Sequence, residues 1–190
     1  MNKNDEKYIN ENPHNGWLKQ EAAFKKNLAE HIKENTWQEC EYPVEMIQWL
    51  EKNGADRKIL VKIACVCARY ALVHIPSDDP KPRIVIETTE KWIGGKVEAI
   101  KIADAARTIP TKNFKPKTPA DHAYLAVYYA AAEAADLKPS YDRNVESTKP
   151  PHWAVWAVSA ASYASAEPQR ICDLIRTMME KYSYESIEQD

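Results

Sequence analysis

The sequence predicts an all-α fold: a single compact domain of about seven to eight packed helices, two of them rich in alanine. Three observations carry this expectation. The stretch Lys58–His74 is apolar almost all the way round. The segments Tyr124–Ala135 and Trp153–Ala164 each hold aromatics in the first half and small residues in the second. No pair of segments reads as partner strands. At ~100° per residue, Lys58, Lys62 and Arg69 fall within about 40° of one another, so the hub stretch has one narrow polar stripe. A helix covered on nearly every side lies at the centre of a fold.

Each element follows from local chemistry. Trp17, Phe24, Leu28 and Ile32 recur at helical spacing and predict an amphipathic helix to about Asn35, behind a polar start. Pro43 opens a short helix that Asn53-Gly54 closes. Asp56 is the expected N-cap of the hub helix, which ends near His74 because Ile75 precedes Pro76. Asp79, Pro80 and Pro82 start the next helix. Within it, Ile84-Val-Ile-Glu-Thr-Thr89 contains five β-branched residues and by propensity reads as a strand. A lone strand cannot satisfy its backbone, so helix is the expectation, stopped by Gly94-Gly95. A short helix between Lys96 and Thr108 is expected to pack through Ile100, Ala103 and Ala106. Thr118-Pro119-Ala120-Asp121 has the form of a capped start for the first alanine-rich helix, running to about Leu137. Pro150-Pro151 opens the second, to about Ala166. Pro168 opens the last, with Ile171, Leu174, Ile175 and Met178 on its apolar face.

Composition bounds the class. Of 190 residues, 44% are hydrophobic and 28% charged, as in ordinary globular chains. No apolar run approaches the ~20 residues that span a bilayer. The start Met-Asn-Lys-Asn-Asp-Glu-Lys has no signal-peptide core, so a cytoplasmic location and no membrane contact are expected. Four cysteines are too few for a disulfide scaffold. On a helix Cys65 and Cys67 point about 200° apart, so they cannot share one metal ion and are expected in the core. No metal and no cofactor are expected. The net charge of -2 conceals three blocks: residues 1–56 carry 7 basic and 11 acidic side chains, 57–119 carry 13 and 6, and 120–190 carry 6 and 11.

Glycine-rich phosphate loops, Gly-x-Ser-x-Gly elbows and His-Glu-x-x-His motifs do not occur. The best polar constellation is Arg69, Asp78, Asp79 and Arg83, expected to lock the hub to the following helix through Arg–carboxylate pairs. On that reading Arg83→Ala lowers stability before it lowers binding. Its catalytic rival sets His74, His122 or His152 beside Asp78 or Asp79. The loop 107–117 offers Arg107, Lys112, Phe114, Lys115 and Lys117, a pattern that would contact a protein partner or, as the alternative, nucleic acid. Tyr141 and Arg143, in the polar loop 138–149, are the other expected partner contacts.

Read in order, Ala64-Cys65-x-Cys67-Ala68-Arg69, Asp79-Pro80-x-Pro82-Arg83 and Glu90-x-Trp92-x-x-Gly95 resemble the all-helical immunity proteins of bacterial polymorphic-toxin systems, which also have phage-encoded relatives. Trp37-x-x-Cys40, Trp49-Leu50 and the two alanine-rich helices fit the same pattern. The chain departs from it in the β-branched stretch after Arg83 and in the basic loop. The resemblance covers residues 37–182, leaving 1–36 as a polar tail with its amphipathic helix and 183–190 as a C-terminal tail. It implies a non-catalytic protein that binds and inhibits a protein partner, a toxin or a defence component.

Overall fold

Proline, aspartate, threonine and glycine set the helix ends. The computed structural model describes residues 35–111, 115–137 and 153–184, together with residues 26, 30 and 31. After a helical turn at Asn35–Gln38 come seven longer helices: α1 Pro43–Lys52, α2 Arg57–Ala71, α3 Lys81–Ile93, α4 Ala99–Ala106, α5 Pro119–Ala135, α6 Trp153–Ser165 and α7 Pro168–Tyr184. Among the described residues there is no strand.

The caps read from the residues are present. The Asp56 carboxylate accepts from the Lys58 N–H at 2.6 Å and starts α2. Thr118 and Asp121 form a reciprocal capping box at the head of α5. Gly54 and Gly95, with φ of +86° and +69°, turn the chain after α1 and α3 in a conformation that costs glycine nothing. α2 tightens into a 3-10 turn, Leu72–His74, before the extended Ile75. Two stops use residues other than glycine: Asp136 after α5 and Ala166 after α6 have φ of 52° and 55°.

The hub expectation holds. Ile59, Leu60, Val61, Ile63, Ala64, Cys65, Cys67, Ala68 and Ala71 of α2 are all buried. α2 packs against α5 and α6, which pack most extensively on each other. Ala126, Ala130 and Ala131 of α5 and Ala154, Ala157 and Ala161 of α6 are fully covered, and small side chains of this kind let backbones approach closely. α3 and α4 flank this three-helix centre on α5; α1 and α7 flank it on α6.

The β-branched segment is helical, as tertiary context required. Val85, Ile86 and Thr89 face the core, and Thr88 and Thr89 donate their hydroxyls to the carbonyls of Ile84 and Val85 at 2.8 and 2.9 Å. That bond satisfies the hydroxyls where β-branching weakens helix propensity. One packing expectation fails: Ile100 is 54% exposed, and Ile102, Ala103, Ala106 and Ile109 make the buried stripe. At ~100° per residue Ile100 lies ~160° from Ile102, so the face that Ile102, Ala103 and Ala106 bury leaves Ile100 on the outer side. The last helix runs two residues beyond 182. The amphipathic helix expected from Trp17 lies outside the described residues except at 26, 30 and 31, where the chain is helical.

Candidate functional site

The four polar residues singled out in the sequence do not form one network among the described residues. Arg69 does tie the hub to the following helix, but through Glu90 rather than an aspartate: its Nε and Nη2 donate to the two carboxylate oxygens at 2.7 and 2.6 Å. This bidentate pair pushes the guanidinium pKa up, chiefly through the hydrogen bond. The side chains are 39% and 37% exposed, so the pair contributes up to about 1 kcal/mol. Asp79 turns elsewhere. One oxygen accepts from the Lys81 N–H at 3.1 Å, the start of α3, and the other from the Tyr124 hydroxyl of α5 at 2.7 Å. The Tyr124 bond holds the Asp79 carboxyl below its ordinary pKa. Burial, then Asp79, pushes the Tyr124 phenol up to about 12. Asp78 and Arg83 are exposed. No hydrogen bond or ion pair joins Arg83 to the described residues, so the expected stability loss from Arg83→Ala has no contact behind it.

The histidines are dispersed. His74 is half-buried in the 3-10 turn after α2, and His122 lies against Tyr163 of α6 with ring centroids 5.3 Å apart. His152 lies outside the described residues. Cys65 and Cys67 are buried free thiols in different surroundings, the first near Glu90 and Arg69, the second near Cys172. Burial pushes the Cys67 thiol up to about 12, the mark of an inert core cysteine. Among the described residues no group of three or more His, Cys, Asp or Glu side chains is placed to hold a metal.

In the basic loop, Arg107, Lys115 and Lys117 are exposed, and Arg107 pairs with Asp104 one turn back. Lys112, Phe114, Tyr141 and Arg143 lie outside the described residues. Part of the basic block is neutralised within the fold. Arg57 donates from Nε to the Glu133 carbonyl at 2.8 Å and from Nη2 to the same oxygen, closing the end of α5; it also lies over Trp92. The Glu133 carboxylate, nearly fully buried, is 3.8 Å from Arg57 and accepts from the Ala154 N–H at 3.2 Å, capping α6.

Sequence reasoning held Tyr128, Tyr129 and Trp153 as candidate aromatic anchors but missed Trp156 and Tyr163, which complete an aromatic face on α5 and α6. Trp156 is 49% exposed and Tyr163 69% exposed. Seven residues apart, they lie within ~20° of one another around the helix, opposite the buried alanines. Tyr129 sits 6.3 Å from Trp156 and stacks on Trp153 at 5.4 Å, and Tyr128 meets Tyr129 edge-on at 5.7 Å. The Trp153 indole N–H donates to the Leu137 carbonyl at 2.8 Å, which fixes the rear of the cluster. The available signal was the seven-residue spacing of two large aromatics within an otherwise small-residue helix. Chemically this face offers flat, amphipathic contact area on rigid helices, the kind of surface that anchors protein interfaces.

Among the described residues no helix is long and apolar enough to cross a membrane. No family model, curated protein or solved structure matches the chain.

Proposed function

We propose that this chain is a non-enzymatic helical protein that binds a protein partner and inhibits it, as the immunity proteins it resembles do. The partner is a toxin or a defence component, met in the cytoplasm. The observation that carries the reading is the exposed Trp156–Tyr163 ridge with Tyr128, Tyr129 and Trp153 behind it. Tryptophan and tyrosine dominate interface hot spots because they bury large areas while fixing few torsions. The close packing of α5 on α6 presents them already ordered, which lowers the entropic cost of association. Tyr141 and Arg143, in the segment of sequence between α5 and α6, are the other contacts the reading expects. The test is co-expression with the product of the neighbouring gene. If that product arrests growth, this protein restores it; continued arrest with soluble protein present contradicts the reading.

A further inference from the structure

The aromatic face has a pattern along α6 that the partner-binding reading does not use. Trp156, Ser159 and Tyr163 lie within ~60° of one another around the helix, on the side opposite the buried alanines. The two large rings stand seven residues apart, about 10 Å along the axis, with the small, half-buried Ser159 between them. The order large, small, large reads the same in both directions along the helix.

The face also carries no formal charge. From Trp153 to Ser165 there is no Lys, Arg, Asp or Glu, and α5 has none between Asp121 and Glu133, which is itself buried. The charged groups at the helix ends are engaged within the fold. Asp121 accepts from the Lys117 and Thr118 N–H groups, Glu167 accepts from the Tyr70 hydroxyl, and Asp136 lies 3.8 Å from Arg57. A contact about a two-fold axis brings a surface against its own copy, so a charged surface would meet like charges. This face has no such repulsion to overcome.

An antiparallel approach of two α6 helices puts the axis between Ser159 and Ala160. Trp156 of each copy then meets Tyr163 of the other, and the two serines let the backbones come close. Area decides how strong such a contact is. At about 150–250 Å² for a whole aromatic side chain, the exposed parts of Trp156 and Tyr163 come to roughly 250 Å² per copy. Two copies therefore bury about 500 Å² through these rings, before Tyr128, Tyr129, Trp153 and the flanking backbone add theirs. Lasting assemblies bury about 1,200 Å² or more, so the contact belongs with weak, reversible pairs.

We propose that a second copy of this chain covers the aromatic face, in a reversible two-fold dimer with α6 packed antiparallel on α6. The dimer hides the rings assigned above to the partner; that competition rests on the partner-binding reading, whereas the self-association does not. The experiment is sedimentation equilibrium of the full chain alone, from about 5 to about 500 µM. The average mass is expected to climb from one chain to two and level there, with a dissociation constant of about 10–100 µM. Trp156→Ser/Tyr163→Ser should weaken the pairing at least ~30-fold. Ser159→Lys and Ser159→Glu, beside the axis, each set like charges against one another, so each alone should stay a single chain. Their equimolar mixture should recover the dimer. If the aromatic variant does not fold, the Ser159 pair decides. A chain that keeps the single-chain mass at the highest concentration overturns the proposal and leaves the face to the other partner alone. So does an average mass that climbs past two chains, or a dimer that the Ser159 substitutions leave intact.

Discussion

At the scale of single residues, several polar side chains join one helix to another. Tyr124 and Asp79 show how such a bond reports itself in pH. The folded Asp79 carboxyl holds its proton less firmly than in the unfolded chain, so its contribution is complete above the ordinary pKa of 3.8 and fades as pH falls below it. Tyr124 is raised, from 10 to about 12, so the same bond is complete below pH 10 and is lost as pH climbs toward 12. Tyr124→Phe is therefore expected to cost about 1–2 kcal/mol in urea unfolding at pH 7 and less at pH 2.5. An equal loss at both values would show that the hydroxyl acts otherwise. For Arg83, exposed and unpaired among the described residues, alanine should change stability by no more than about 0.5 kcal/mol, whereas Glu90→Ala should cost about 1 kcal/mol by releasing Arg69. Asp79 could be read from the sequence because an aspartate before Pro-Lys-Pro has a local role. Its partner Tyr124 stands 45 positions away with no local mark, and Glu90 is likewise a distant choice that only packing makes.

Helix ends were the most legible elements, since Asp56, Thr118 and Gly95 act on their own immediate neighbours. The inner strength of the α5–α6 contact was legible as alanine content, but not which aromatic positions faced outward. Lining up the buried alanines leaves Trp156 and Tyr163 on the far side of α6, a consequence of helix pairing rather than of local propensity. Ile100 shows the reverse error: a periodic pattern was legible, but Ile102 rather than Ile100 belongs to the buried face of α4, and Ile100 lies ~160° around the helix from it. Ala157 of α6 is wholly buried. Ala157→Leu should force the helices apart and cost about 2 kcal/mol or more, measured as a shifted denaturant midpoint at constant slope. A midpoint unchanged by this substitution would mean that α5 and α6 are not packed as closely as described.

Across the whole molecule, the alternation of acidic and basic blocks finds part of its purpose in the Arg57–Glu133 junction. There the start of α2, the end of α5 and the start of α6 meet. One guanidinium closes the carboxyl end of α5, and one buried carboxylate caps the amino end of α6, so each helix dipole meets the opposite charge. Arg57→Met removes the guanidinium from beside a nearly buried carboxylate. It should lower stability by about 2 kcal/mol and Tm by roughly 4–8 °C. The fold thus uses a few charged side chains to join helices and turns aromatic surface outward on α5 and α6. If that surface is the working face, exposure predicts that removing it spares the fold. The direct measurement compares the chain with its Trp156→Ser/Tyr163→Ser double variant, in thermal unfolding and in calorimetric titration with the partner that co-expression identifies. The expected result is a Tm within about 2 °C of the parent and an affinity at least ~100-fold weaker, the loss of two hot-spot anchors. A double variant that binds as tightly as the parent while remaining folded would contradict it.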